Sequence, residues 1–222
     1  MGSHIAICIP CYNEAANLEL LHERLCEALK ACPEDNFSLV FADNASTDQS
    51  RTIIASLMER DQRVGLIENM NNFGFVRSSA NALLTPDAEA NIFLMSDLQD
   101  PPELIPELIR RWKEGRSQVV FAVRRASREN WLLFQCKRVY YTLLSSLSDY
   151  PMVRDTTGFG IYDRSVILAL RQCIDSYPFV KGLVCAIGFA WETVPYTSAQ
   201  RTQGRSTASL GFLVDFGILG IV

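Results

Sequence analysis

Short apolar runs that end abruptly on polar side chains most constrain what this chain can fold into. Ile5-Ala-Ile-Cys-Ile9 stops at Pro10, Phe37-Ser-Leu-Val-Phe-Ala42 stops at Asp43, and Ile92-Phe-Leu-Met95 runs into Ser96-Asp97. Runs this short, bounded by turn residues, predict buried strands. Val64–Ile67 adds a weaker strand and Gln118–Val123 a fifth. Between them the apolar spacing becomes helical. Leu18, Leu21, Leu25 and Leu29 share one face of a helix predicted over 14–31. Ile53, Ile54, Leu57 and Met58 mark a second helix, with Ser46 or Thr47 as its cap. A polar loop at 69–74 leads to a helix over 76–84, and Pro101-Pro102 open a helix over 104–112. Strand and helix alternating through short connections predict an α/β fold with a mostly parallel central sheet flanked by helices. The second half is less regular: a helix over 130–148, loop and strand over 151–164, a helix over 165–173, a strand-like segment over 182–196, and an apolar tail from Leu210.

In such sheets ligands bind beyond the carboxyl ends of the strands. Polar groups gather at four of those ends: Tyr12 to Glu14, Asp43, Asp97 and Arg124. Asp97 and Gln99, two oxygen-bearing side chains just past a buried strand, can grip one hard divalent cation such as Mg²⁺ or Mn²⁺. A cation there would neutralise a diphosphate leaving group. Asp97 and Asp100 serve equally as acidic residues at a helix start. Tyr12, in Pro10-Cys-Tyr12-Asn-Glu14, can cover a nucleobase while Glu14 accepts from base or ribose; the same stretch also reads as a turn capped by Asn13. Asp43-Asn-Ala-Ser46-Thr-Asp48 offers a second acidic pair, or an Asx-type turn. Arg124, Arg125 and Arg201 match phosphate geometry, and each also suits a solvated surface.

Several classes fall away. The net charge of −4, without a basic block, excludes a sequence-independent nucleic-acid binder. No Gly-x-x-x-x-Gly-Lys-Ser/Thr and no Gly-x-Gly-x-x-Gly is present, so a diphosphate would be held by metal and arginine rather than by a glycine loop. Seven cysteines lack a framework spacing, and Cys8-x-x-Cys11 has no second pair, which fits reduced thiols. His4 and His22 are the only histidines, which gives a histidine-based metal centre or a Ser-His-Asp triad little to build on. No apolar run reaches the ~20 residues of a membrane span, and no secretory signal peptide is visible.

Taken together, Pro-x-Tyr-Asn-Glu, Asp-Asn-x-Ser-x-Asp, Asn72-Phe73-Gly74 and Ser96-Asp-Leu-Gln-Asp-Pro-Pro-Glu103 resemble the family 2 glycosyltransferases of GT-A (Rossmann-like) fold. Within them the chain is most similar to the polyprenyl-phosphate glycosyltransferases, relatives of dolichyl-phosphate mannose synthase. The likeness continues through Gly158-Phe-Gly-Ile-Tyr-Asp-Arg164, Phe179-Val-Lys-Gly182 and Arg201-x-x-Gly204-x-Ser206. It implies a sugar moved from a nucleotide-sugar donor to a polyprenyl phosphate or a glycan hydroxyl, with a divalent cation. Pro10, Tyr12, Glu14 and Asp43 would border the nucleobase, and Asp97 and Gln99 would hold the metal. Arg124 and Arg201 would face phosphates, and Asp155 would stand where the family places its acceptor-side acid.

Three departures matter: Met95 replaces the first Asp of the family's Asp-x-Asp, Gly158 replaces an acid, and Lys181 stands where Arg is common. The resemblance further implies a catalytic domain over 1–206, with a donor half to 125 and an acceptor half from 126. The tail over 207–222 reads as an interfacial helix preceding membrane helices, or as a core helix closing the domain. The full-length protein is then expected on the cytoplasmic face of a membrane, with this chain alone soluble. Two rival readings stay open: a nucleotidyltransferase, disfavoured by the absence of a Gly-rich basic loop after the first strand, and a nucleotide-sugar-binding scaffold that has lost catalysis.

Overall fold

The computed structural model describes residues 2–125, 153, 155–173 and 178–198. The helix expected over 130–148, the tail from 207 and Arg201 lie outside them. The described chain runs β1 (His4–Cys11), α1 (Ala15–Leu29), β2 (Asn36–Asp43), α2 (Ser50–Arg60), β3 (Val64–Glu68), α3 (Gly74–Leu84) and β4 (Ala90–Phe93). A 3₁₀ turn, Pro102–Leu104, leads into α4 (Ile105–Lys113); then follow β5 (Val119–Arg124), β6 (Gly160–Asp163), α5 (Arg164–Cys173), α6 (Val180–Ile187) and β7 (Trp191–Tyr196).

Seven strands form one sheet in the order β3-β2-β1-β4-β6-β5-β7. β1 pairs in parallel with both β2 and β4, and β5 with β7; only β6 runs antiparallel to its neighbours β4 and β5. β1 shows why its apolar run is unbroken. Ile5, Ile7 and Ile9 point into a core with Leu18, Leu21 and Leu25 of α1 and Ile105 and Leu108 of α4. Ala6 and Cys8 point the other way, against Ala80 and Leu83 of α3. Both faces of the strand are covered, so both sets are apolar. The first cluster draws on all seven strands and the second on β1, β4, β5 and β6, which leaves the strand ends as the place for polar groups.

Two expectations are corrected. The segment over 182–196 is not one strand: α6 occupies Val180–Ile187 and β7 begins at Trp191. Gly188 separates them with φ +89°, the left-handed C-terminal stop that glycine adopts at least cost. A short apolar run cannot be assigned by periodicity alone, and here the glycine was the deciding signal. Neither Ser46 nor Thr47 caps α2. The helix starts at Ser50, whose N–H and hydroxyl both donate to the Asp48 carboxylate, at 2.9 and 2.5 Å.

Candidate active site

A cavity of about 820 Å³ opens at the carboxyl ends of β1, β4 and β5, with the loop that enters antiparallel β6 as its further wall. Pro10, Tyr12 and Glu14 line it from β1, Asp97 and Gln99 from β4, and Arg124 from β5. The crossover between β1 and β4 is where the strand order reverses, the place where open α/β sheets bind ligands.

The first two loops are stitched together by the residue types that stood out in the sequence. Asn13, at φ +56°, accepts the Thr47 N–H on Oδ1 at 2.8 Å and donates its own N–H to Ser46 Oγ at 3.0 Å. The Glu14 N–H donates to Ser50 Oγ and the Ala15 N–H to Asp48 Oδ2. Asn17 Nδ2 donates to Glu14 Oε2 at 2.5 Å, which steadies that carboxylate at the cavity rim. Asp43 is fully buried below this rim and is not among the cavity-lining residues. Its Oδ2 accepts the Ser46 N–H at 3.0 Å and Arg51 Nε at 2.8 Å. The Asp43 carboxylate thus holds the turn and ties α2 to β2. Beside it, burial and then the Asp43 charge push the Cys11 thiol well above its ordinary range. Cys8 and Cys11 are both free and buried.

The loop after β4 turns sharply, with Leu98 at φ +60°. Asp97 Oδ1 accepts the Gln99 N–H at 3.1 Å, and Ser96 Oγ donates to the Pro10 carbonyl at 2.9 Å, locking this loop to the end of β1. Asp100 does not act as a helix-start residue. It is fully buried and accepts from Arg124 Nη2 at 3.1 Å, from Thr157 Oγ1 at 2.8 Å and from the Tyr196 hydroxyl. Arg124 Nε donates to the Tyr196 oxygen at 3.0 Å, and its Nη2 lies 3.4 Å from Gln99 Oε1. Burial works against the guanidinium, but the Tyr196 and Asp100 interactions outweigh it and hold Arg124 above its usual range. Burial, reinforced by Asp100, likewise keeps the Tyr196 phenol protonated far into alkali. Arg124 also lines the cavity.

Asp155 is exposed, with φ +57°, and is not among the cavity-lining residues; its neighbours Thr156, Thr157 and Gly158 are. Its carbonyl accepts the Arg124 N–H at 2.8 Å. Lys181 lines the cavity, with Nζ 5.3 Å from the Phe179 ring centroid. Burial lowers the Lys181 pKa, and the Asp155 charge opposes that shift. Met95 sits in the cavity wall.

The donor set fits a hard divalent cation. A carboxylate and an amide oxygen stand in one wall, and Asp97 is fixed by the Gln99 N–H rather than swinging in solvent. A thioether at Met95 adds nothing for such an ion. Sequence reasoning missed Asp100, Thr157 and Tyr196 as parts of the site. The one signal for Asp100 was a carboxylate set between Leu98 and Pro102, both of which are buried.

The model for glycosyl transferase family 2 matches residues 6–171. An uncharacterized glycosyltransferase, YkcC, of Bacillus subtilis is 34% identical across the whole chain, which spans 69% of that relative. The bactoprenol glucosyl transferase of Shigella phage SfV is 27% identical over 98% of the chain and 70% of its own length. Among solved structures, the fold is similar to glucosyl-3-phosphoglycerate synthase from Mycobacterium tuberculosis, crystallised with Mn²⁺, UDP and phosphoglyceric acid. Its TM-score is 0.68 at 18% identity, over 99% of this chain and 76% of that one. A mannosyltransferase from Pyrobaculum calidifontis, in complex with GDP-Man and Mn²⁺, has a TM-score of 0.64 at 16% identity, over 92% of this chain and 59% of that one. The chain belongs to glycosyl transferase family 2, and its fold is that of the GT-A glycosyltransferases.

Proposed function

We propose that the chain moves a sugar from a nucleoside-diphosphate donor to a polyprenyl phosphate at a membrane surface, with residues 1–125 holding the donor and the later residues the acceptor. The observation that carries this reading is the convergence, in one cavity, of Tyr12 and Glu14, the Asp97–Gln99 pair and a half-buried Arg124. Relatives named as bactoprenol glucosyl transferases support the lipid acceptor.

In this reading Tyr12 covers the base and Glu14, steadied by Asn17, accepts from the base or ribose. Asp43 acts one layer below by holding the turn that carries the rim. Asp97 and Gln99 would hold Mg²⁺ or Mn²⁺, which when bound neutralises charge on the departing diphosphate. Arg124, gripped by Asp100 and Tyr196, presents a guanidinium fixed in direction, so little rotamer freedom remains to be lost when a phosphate docks. Arg201 is assigned the same kind of contact from the family resemblance. The acceptor phosphate oxygen attacks the anomeric carbon as the diphosphate leaves. That oxygen is already anionic near neutral pH, so no strong base is required, which suits glycine at position 158. Lys181 in the cavity wall offers a cation to the acceptor phosphate. Asp155 would act as base only for a hydroxyl acceptor. Among the described residues no helix is long and apolar enough to cross a membrane.

The test is a donor screen by mass spectrometry with a short polyprenyl phosphate and Mg²⁺ or Mn²⁺. A glycosyl-phospholipid product supports the reading, and turnover on Asp155→Asn should be undiminished with that acceptor. Transfer only to sugar hydroxyls, or donor binding without any turnover, would sink it.

A further inference from the structure

On the opposite edge of the sheet, three side chains of different chemistry meet. His22 and Cys26 lie one turn apart on α1, and Asp61 directly follows α2, in the turn that enters the amino end of β3. His22 Nε2 is 3.0 Å from Asp61 Oδ2 and 3.5 Å from Cys26 Sγ, and Cys26 Sγ is 3.8 Å from Asp61 Oδ2. The family reading uses none of them.

These three separations can be compared with the edges of a metal tetrahedron. Zinc bonds of about 2.0 Å to nitrogen, 2.1 Å to oxygen and 2.3 Å to sulfur give tetrahedral edges of about 3.3 Å (N···O), 3.5 Å (N···S) and 3.6 Å (O···S). Each observed separation lies within about 0.3 Å of its edge. His22 and Asp61 are 15% and 13% exposed, so the triangle is half-buried yet open to a water as fourth ligand. A thiolate and a carboxylate together neutralise a divalent charge. Imidazole plus thiolate selects a zinc-class ion over Mg²⁺ or Mn²⁺, which prefer all-oxygen sites.

The Arg63 guanidinium forks onto Asp61 and its Nη2 donates to Cys26 Sγ at 3.1 Å, so a cation already sits against these groups. The Arg63 side chain is 40% exposed and can swing into solvent when a metal takes its place. We propose that His22, Cys26 and Asp61 form a second metal site, taking a zinc-class cation, that clamps α1 to the α2–β3 turn and is separate from the catalytic cavity.

The test uses the full chain, stripped with a chelator and held in excess Mg²⁺ to satisfy the cavity. Co²⁺ is titrated first and Zn²⁺ then added in competition. The expected result is one equivalent of Co²⁺ with a thiolate-to-metal charge-transfer band, displaced by Zn²⁺, absent in Cys26→Ser and unchanged in Asp97→Ala. His22→Gln and Asp61→Asn should each weaken Zn²⁺ by more than about tenfold, the loss that even an outer-shell partner can cost. Arg63→Gln should tighten it, a gain that cannot come from misfolding. No band in the parent chain, or a band that survives in Cys26→Ser, overturns the proposal. So does a Zn²⁺ affinity unchanged across the His22, Asp61 and Arg63 variants.

Discussion

Asp100→Asn is the most direct probe of how the cavity is held. The amide is isosteric with the carboxylate, so no void opens in this fully buried position. Its oxygen can keep Arg124 and the Tyr196 hydroxyl, while its new NH₂ meets Thr157 Oγ1, whose hydroxyl can rotate to accept. The number of hydrogen bonds is therefore conserved and only the carboxylate's charge is lost. A bond to a charged group contributes about 1.5–3 kcal/mol and a neutral one about 0.5–1.5, so the Tyr196 and Thr157 bonds lose about 1–1.5 kcal/mol each, and the weakened pairing with Arg124 brings the loss to about 3 kcal/mol. Breaking a fully buried ion pair would cost about 3–5 kcal/mol, but Arg124 is one-third exposed and solvent screens part of its charge, which favours the lower figure. A loss of about 3 kcal/mol lowers the melting temperature by about 6–12 °C for a chain of this size.

Urea denaturation followed by circular dichroism reads the stability directly, and a cycle with Arg124→Gln isolates the pair. The double variant should be less destabilised than the sum of the singles by more than about 1 kcal/mol. A loosened Arg124 should also cut kcat/KM about tenfold or more, since even a small misplacement of a positioning group can cost about a hundredfold. Asp100→Asn costing less than about 0.5 kcal/mol, or additivity with Arg124→Gln within about 0.5 kcal/mol, would mean that Asp100 does not hold Arg124 in place.

Asp97→Ala should reduce cation-dependent turnover by about 10²–10³-fold, comparable to losing one preorganised stabilising group, with an unchanged urea midpoint; initial rates across Mg²⁺ and Mn²⁺ concentrations check this. Gly160→Ala should destabilise by about 2–3 kcal/mol, because its Cβ would lie 2.5 Å from the Val120 carbonyl oxygen and 3.1 Å from Phe121 Cα, which are strand backbone and cannot give way. Gly65→Ala, with nothing within 4 Å, should cost under about 1 kcal/mol in the same assay. Arg110, and then Arg111, hold Glu107 at about 2, below its ordinary 4.5. A lowered folded-state pKa means that the contribution is present above pH ~4.5 and lost as pH falls toward ~2. Glu107 is 35% exposed, so less than about 1 kcal/mol is at stake. Comparing acid unfolding of Glu107→Gln with the parent should show a shallower acid limb that vanishes in high salt.

The fold was legible where one physical signal dominated. In β1, large Ile5, Ile7 and Ile9 alternate with small Ala6 and Cys8, so a strand covered on both faces reads as one apolar run. In α1 the leucine stripe set both the element and its buried face. Reading failed where two signals competed. Val180 to Tyr196 is mostly apolar with β-branched residues in both halves, and Gly188 marks where helix gives way to strand. At α2 the hydroxyls of Ser46 and Thr47 looked like caps, but they are spent on binding Asn13 across the loop.

The site divides along a similar line, drawn by chain separation. Tyr12, Glu14, Asp97, Gln99 and Arg124 were legible because a strand end delivers each of them to the same edge of a parallel sheet. Asp43 also ends a strand, yet its carboxylate turns inward to Arg51, a choice fixed by α2 and invisible in the motif. Asp100 and Tyr196 were not legible because their partnership spans 96 residues and two elements whose order in the sheet the sequence does not state. Arg124 takes its direction from that partnership, so the guanidinium proposed to meet a phosphate is aimed by two residues that no local pattern marked.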